Sequence, residues 1–396
     1  MLRTDPETLR FIQEHLSDDT SKLLLSASKY PELDMPFIAD QILARRQIKD
    51  KLPEWYINEE IILPSRIAAE QCSSMLTALY KQQLIKGDCV CDLTGGLGID
   101  TYYISKCTRK SYYIERFPEY CEAARHNFNK LKATHIEVIN GDSRTMDIPV
   151  VDTIYLDPAR RGDANKRLFD LSDCEPDIVS LKQDLLKKAQ RIIVKVSPMA
   201  DLTRTLSLLP ETTEVHILSV KNECKELLFV LDSIKENEAE PTIHCINYLT
   251  DGTETTYCFK PEKEHHNIPL YANKIKRYLY EPNASIMKAG AFRSVALDFN
   301  LEKLQVNSHL YTSDELKETF PGRIFEVVNC IDFSSKSIKK LCVQIPKANI
   351  AVRNFPLSVD EFRKKSGIKE GGNIYLFAST LGKDQKLLIE CTKFNS

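Results

Sequence analysis

No stretch of the 396-residue chain approaches the roughly 18 consecutive apolar residues that a membrane-spanning helix requires. The opening residues, MLRTDPETLRF, carry acids where a secretory leader would be apolar and a mitochondrial one free of acids. Both absences point to a cytoplasmic protein with no membrane partner. No Cys-x-x-Cys pair occurs among the 12 cysteines. The closest two, Cys89 and Cys91, alternate along an apparent strand, so the cysteines read as reduced, mostly buried thiols and not as a disulfide framework or zinc knuckle. The eight histidines show no ligand spacing, and no metal is expected. Net charge is low as well, −2 overall, which argues against a surface uniformly coated for nucleic acid. That average conceals an asymmetry: from Pro321 onward 13 Lys and Arg face 7 Asp and Glu, a balance of +6, leaving −8 for everything before.

Internal repeats and low-complexity tracts are missing too, and 42% hydrophobic residues over this length predict two or three globular domains. Residues 1 to about 85 have helical spacing. Ile38, Ile42 and Arg45 fall to one side of a helix, and Ile67, Cys72, Met75, Leu76 and Leu79 predict another that begins near Pro64 and Ser65. From Asp88 short β-rich runs alternate with helical segments, the pattern of an α/β doubly wound parallel sheet. TEVHILSV and ELLFVLD are joined only by KNECK, too short for a helical crossover, so the sheet should end in an antiparallel pair. After the charged link KENEAEP, the stretch IHCINYLTDGTETTYCF carries an Asp-Gly hairpin signal. Residues 281 to 320 look partly helical. The remainder mixes the strands NIAVRNF, NIYLFAS and KLLIEC with a helix from about Val359 to Lys365.

The first β-rich run closes in DCVCDLTGGLGID, residues 88 to 100. Glycines between a strand and a helix let the backbone turn sharply and come close to a ligand, while the next helix offers free N–H groups. A dinucleotide fingerprint would place a third glycine where Thr101 stands, and no Lys-Ser or Lys-Thr follows to make a phosphate-binding loop. Acids crowd the loop instead: Asp92 before it, Asp100 after it and Glu115 at the end of the next strand. They would repel a diphosphate but hold an ammonium and ribose hydroxyls, and S-adenosylmethionine carries both.

With these residues the stretch from 64 to 232 resembles the class I S-adenosylmethionine-dependent methyltransferases, whose seven-stranded Rossmann-like sheet ends in an antiparallel pair. The resemblance implies that Asp92, Thr94, Gly95, Gly96 and Gly98 surround the methionine part of the cofactor and that Glu115 binds its ribose. It implies that Asp142, in NGDSRT, meets the adenine amine. Thr94 stands where many members have glycine, although Asp-x-Thr-x-Gly-Leu-Gly-x-Asp loops occur in some ribosomal RNA guanine methyltransferases.

YLDPARRG, residues 155 to 162, follows an apolar strand and so ends at the ligand-binding edge of such a sheet. It resembles the Asp/Asn-Pro-Pro-aromatic motif of methyltransferases acting on exocyclic amines. The amine's lone pair is delocalised into the ring; Asp157 and the carbonyl of Pro158 would accept its hydrogens and localise the pair for attack. Ala159 and Arg160 replace the aromatic that usually stacks on the base, and a guanidinium at Arg160 or Arg161 can stack on a base or bind a phosphate. Asp-Pro-x-Arg also resembles the 5-methyluridine enzymes, but VKVSPMADLTR lacks their cysteine, leaving Cys174 and Cys224 as nucleophiles only if they reach the pocket. Lys195 and Ser197 would line the substrate side. Lys225, in KNECKELL, is a further substrate contact or a solvated turn residue.

In the basic tail, Arg353, SSKSIKK and RKK lie among Phe355, Phe362 and Tyr375, a mixture that suits RNA or a solvated face. The whole chain is similar to a bacterial group of methyltransferases with a small ferredoxin-like domain and a carboxy-terminal THUMP-like domain, whose VRNFP, DPARR and NECKELL are all present. That likeness implies four regions: helical residues 1–85, a methyltransferase domain over 86–235, a linker hairpin with the ferredoxin-like domain over 236–320, and a THUMP-like domain over 321–396. It also implies an RNA partner. Three readings stand at this point: an RNA base N-methyltransferase, a methyltransferase of proteins or small molecules, and an RNA-binding relative without catalysis.

Overall fold

The computed structural model describes residues 5–160, 171–234 and 240–394. Two compact units emerge, Met1–Val215 with Glu226–Ala239, and His216–Lys225 with Glu240–Ser396. Strands β1 (Cys89–Asp92), β2 (Lys110–Glu115), β3 (Ile136–Asn140), β4 (Thr153–Leu156), β5 (Arg191–Val196), β6 (Thr212–Val220) and β7 (Glu223–Asp232) run in the order β6-β7-β5-β4-β1-β2-β3, all within the first unit except the hairpin residues His216–Lys225. The pairs β1–β2, β1–β4, β2–β3 and β4–β5 are parallel, whereas β5 meets β7 antiparallel. These seven strands have the order and the antiparallel last pair that the resemblance implies. Every residue of β4, and Ile192 to Val194 of β5, is buried, as central parallel strands covered on both faces must be.

The strand order reverses between β1 and β4, so the carboxyl ends of neighbouring strands open a crevice at that point. Asp92, Glu115 and Lys195 lie at or near those ends, and Asp142 and Asp157 directly follow β3 and β4.

Two local expectations change. The link between β6 and β7 is only Lys221 and Asn222, at φ 52° and 62°, and Glu223 to Lys225 already belong to β7. Left-handed backbone at both positions supplies the twist a two-residue hairpin needs. The single helix predicted from Pro64 is two, Arg66–Gln71 and Met75–Lys81. Cys72 turns to extended backbone, and Ser74 restarts the helix by accepting from Thr77 N–H. The amino-terminal helices are not a detached preface: Ala44, Ile48, Leu52 and Trp55 share a core with Tyr102, Tyr103, Tyr113 and Phe128. Arg45 is fully buried among them, donating to the carbonyls of Asn58, Glu59 and Ile61.

In the second unit, β8 (Thr242–Tyr248) and β9 (Glu254–Phe259) form the antiparallel hairpin signalled by Asp251-Gly252. A second sheet runs β11-β12-β10-β13-β16-β15-β14, from β10 (Tyr278–Pro282), β11 (Glu302–Lys303), β12 (Tyr311–Ser313), β13 (Gly322–Asp332), β14 (Asn349–Arg353), β15 (Ile374–Leu381) and β16 (Gln385–Lys393). Helix Val359–Ser366 covers part of it, and RKK occupies that helix's last turn, where positive charge complements the helix dipole.

Candidate active site

Asp92 ends β1 almost completely buried, and its carboxylate organises the turn that follows. Oδ1 accepts from Thr94 N–H at 2.9 Å and Oδ2 from the Thr101 hydroxyl at 2.6 Å. Burial, outweighing these donors, pushes its pKa up to about 7. Gly98 has φ 79°, and a Cβ there would lie 2.6 Å from the Phe128 ring, so both conformation and space demand glycine. Glu115 closes the turn from β2: Oε2 accepts from Gly96 N–H and Oε1 from Phe117 N–H, each at 3.0 Å.

These groups line a cavity of about 350 Å³ together with Gly95, Gly96, Gly98, Asp100, Asp142, Asp157, Ala159 and Lys195. A second wall comes from the amino-terminal helices, where Ala68, Gln71, Cys72 and Ser73 face the same space. Asp142 is tied to Arg144, whose Nε lies 2.8 Å from Oδ1 and 3.0 Å from Oδ2, and that bonding pulls its pKa down to about 2. Arg144 also pairs with Glu175, which runs antiparallel to Ala159 just after the Asp-Pro turn.

Asp157 is half-exposed to the cavity, and Lys195 Nζ lies 2.7 Å from its Oδ2. Beneath this pair sits a buried charge cluster that sequence reading missed. Lys81, with no exposed side-chain surface, lies 3.0 Å from Asp100 Oδ1 and 2.7 Å from Glu226 Oε1, the latter an ion pair without a well-directed hydrogen bond. Asp100 Oδ2 accepts from Ser73 Oγ at 2.9 Å and from the Tyr155 hydroxyl at 2.7 Å. Burial would raise the Asp100 pKa, but Lys81 and Lys195 hold it below the usual carboxylate range. Burial raises that of Glu226. Asp100 therefore lines the cavity as an anchor for lysines, with both oxygens engaged.

Two family models match the chain, a ferredoxin-like domain over residues 278–321 and a THUMP domain-like one over residues 322–393. A crystal structure from Porphyromonas gingivalis W83, provisionally assigned as a methyltransferase, is 36% identical, with 100% of each chain covered and a TM-score of 0.89. The chain belongs to this family, the class I methyltransferases with ferredoxin-like and THUMP-like domains. The M. jannaschii tRNA m1G37 methyltransferase is 17% identical over 42% of this chain and 52% of that one, with a TM-score of 0.30. The Pyrococcus abyssi tRNA (uracil-54, C5)-methyltransferase, solved with S-adenosyl-L-homocysteine, is 19% identical over 39% of this chain and 37% of that one, with a TM-score of 0.31. Scores near 0.3 carry no argument about substrate. No curated protein matches the chain.

Not every residue singled out from the methyltransferase sequence reaches the cavity. Pro158 is buried, and Ser197 accepts from Met199 N–H; neither lines it. Arg160 enters a two-residue ladder opposite Cys174, and Arg161 lies outside the described residues. Lys225 pairs with Glu223 at 2.7 Å. Arg353 lies 2.7 Å from Glu281, a nearly buried carboxylate that also binds Arg323, so its guanidinium holds β14 to β10. The aromatics beside the basic runs belong to the core: Phe362 is wholly buried, Phe355 packs on Phe333, and Tyr375 packs on Phe325. Cys174 and Cys224 do not line the cavity, and Cys72, which does, has its thiol pKa raised by burial. Folding brings His216 and His244 together despite their spacing, and their rings stack at 4.4 Å with planes 7° apart.

No described helix is long and apolar enough to cross a membrane.

Proposed function

We propose that this methyltransferase carries a methyl group from S-adenosylmethionine to an exocyclic nitrogen of a base in RNA, in the cytoplasm. The observation that carries the reading is the position of Asp157: at the carboxyl end of β4, half-exposed, in one cavity with the glycine turn. The donor set fits the cofactor. Glu115 keeps lone pairs for ribose hydroxyls while its two oxygens hold the turn, and Asp92 offers a buried carboxylate near the methionine end. Asp142 meets the adenine amine only by sharing with Arg144.

Bound S-adenosylmethionine supplies an electrophilic methyl group on a sulfonium. The chain's own residues prepare the other partner. Asp157 accepts a hydrogen of the base amine and turns its lone pair toward the methyl. Gln71, Cys72 and Ser73 supply a further wall of the same cavity. The basic balance of residues 321–396, within a THUMP-like domain, supports RNA as substrate.

Calorimetry with S-adenosylhomocysteine and tritiated methyl transfer to bulk RNA from a strain lacking the gene test the reading together. Binding that is lost in Asp92→Ala, with label entering RNA and not protein, is expected. Label only in protein fractions, or an Asp157→Ala variant as active as wild type, overturns the amine mechanism.

A further inference from the structure

We propose that Lys195 is a positioning residue that acts through Asp157, and that Ser73, Lys81, Asp100 and Glu226 form a buried seat that holds it there. The proposal rests on the amine-methylation reading above and changes the part assigned to Lys195, from substrate contact to support for the residue that meets the substrate.

Lys195 rises from β5 beside β4, and its ammonium reaches four partners: Asp157 Oδ2 at 2.7 Å, Ser73 Oγ at 3.2 Å, Asp100 Oδ2 at 3.9 Å and Glu226 Oε2 at 4.0 Å. Both line the cavity, but the Lys195 side chain is 13% exposed against 41% for Asp157, so the carboxylate is the more open of the two to an entering substrate. Asp157 has two restraints among the described residues, its N–H donating to Thr94 Oγ1 at 2.6 Å and its Oδ2 accepting from Lys195. Among the described residues Oδ1 accepts no hydrogen bond, and Asp157 lines the cavity.

The seat explains why the second lysine cannot replace the first. Lys81 is used up by Asp100, Glu226 and Ser73. The titratable groups that interact with Asp157 are Asp92 from β1, Tyr155 from β4 and Lys195, and Lys195 in turn reaches Asp100 from the helix Ile99–Ser105 and Glu226 from β7. Without Lys195, Asp157 loses the cation it shares with Asp100 and Glu226 and has only its N–H to hold its place. Burial alone would lower the Lys195 pKa, but Asp157, Asp100 and Glu226 raise it, so the ammonium stays charged. Ser73 reaches the seat only because the chain breaks between the helices Arg66–Gln71 and Met75–Lys81.

A double-mutant cycle on methyl transfer to bulk RNA from a strain lacking the gene tests this. Lys195→Met is expected to lower kcat about 100-fold, the scale of a misplaced reacting group. S-adenosylhomocysteine affinity should stay within about threefold, and Lys195→Arg should recover part of the loss. In an Asp157→Ala background Lys195→Met should cost no more than about twofold, because a residue that acts only through another has nothing left to act on. Losses that multiply in the double variant, or a change confined to KM for RNA, overturn the proposal. If Lys195→Met does not fold, Ser73→Ala replaces it in the cycle. An Asp157→Ala single variant as active as wild type refutes the amine reading itself, a result separate from any Lys195 outcome.

Discussion

The backbone N–H of Asp157 donates to the hydroxyl of Thr94 at 2.6 Å, and the same hydroxyl lies 3.4 Å from Asp92 Oδ1. One side chain thus ties the turn after β1, proposed to hold the methyl donor, to the turn after β4, proposed to hold the acceptor. Glycine at this position could not make that link.

Thr94→Val keeps the shape and removes the hydroxyl. It leaves the Asp157 N–H without its acceptor, a loss of about 1–3 kcal/mol in stability. Methyl transfer should fall about tenfold as the two turns drift apart. Thr94→Ser should restore both. Urea melts and initial rates read the two effects, and a Thr94→Val protein equal to wild type in both would remove this link from the account.

Asp92 sets a pH dependence whose sign follows from its raised pKa of about 7. Between the ordinary carboxylate range and about 7 the folded state holds a proton that the unfolded chain has released. This contribution to stability is full below the unfolded pKa and is lost as pH rises through about 7. A shift of about three units corresponds to an upper bound of about 4 kcal/mol. Asp92→Asn should therefore be less sensitive than wild type when melts at pH 5.5 and pH 8 are compared. A cofactor ammonium that favours the carboxylate would release a proton on binding at pH 6 and none at pH 8.5. Calorimetry in two buffers of different ionisation enthalpy counts it, and equal proton release at both pH values would contradict this role.

Comparison of Gly98 with Gly252, both at positive φ, separates conformational strain from crowding. Gly98→Ala meets both, with φ 79° and the Phe128 ring 2.6 Å from the new Cβ, whereas Gly252→Ala meets only φ 87° in open space. We expect about 1 kcal/mol of destabilisation at Gly252 and at least about 2 kcal/mol at Gly98, the latter with loss of S-adenosylhomocysteine binding. Denaturant melts of the two variants give the comparison.

Glu115→Gln should loosen S-adenosylhomocysteine about 10- to 100-fold, because an amide has one acceptor oxygen where the carboxylate uses two to hold Gly96 and Phe117. Affinity unchanged in this variant would move the ribose elsewhere.

Much of the first unit was legible in the sequence because its signals are local. Strand runs without polar interruption, a glycine turn flanked by acids and a link too short for a crossover each constrain one segment. What was not legible depends on contacts distant in sequence. Lys81 reads as an ordinary helix residue and Glu226 as the polar start of a strand until folding closes both on Asp100. The break at Cys72 to Ser74 is hidden in a continuous apolar spacing, and only Ser74 before Thr77 marks it. In the tail, Phe362 stands beside Arg363 and Lys364 in sequence, yet helix periodicity turns it inward, and neighbours along the chain say nothing of which face it takes.

Nucleoside mass spectrometry of RNA from the parental strain, a strain lacking the gene, and that strain carrying either wild type or Asp157→Ala is the most direct test of the central claim. The account predicts that one base-N-methylated nucleoside disappears with the gene, returns with wild type and does not return with Asp157→Ala. An unchanged profile, a lost nucleoside methylated on carbon or ribose, or full restoration by Asp157→Ala would contradict it.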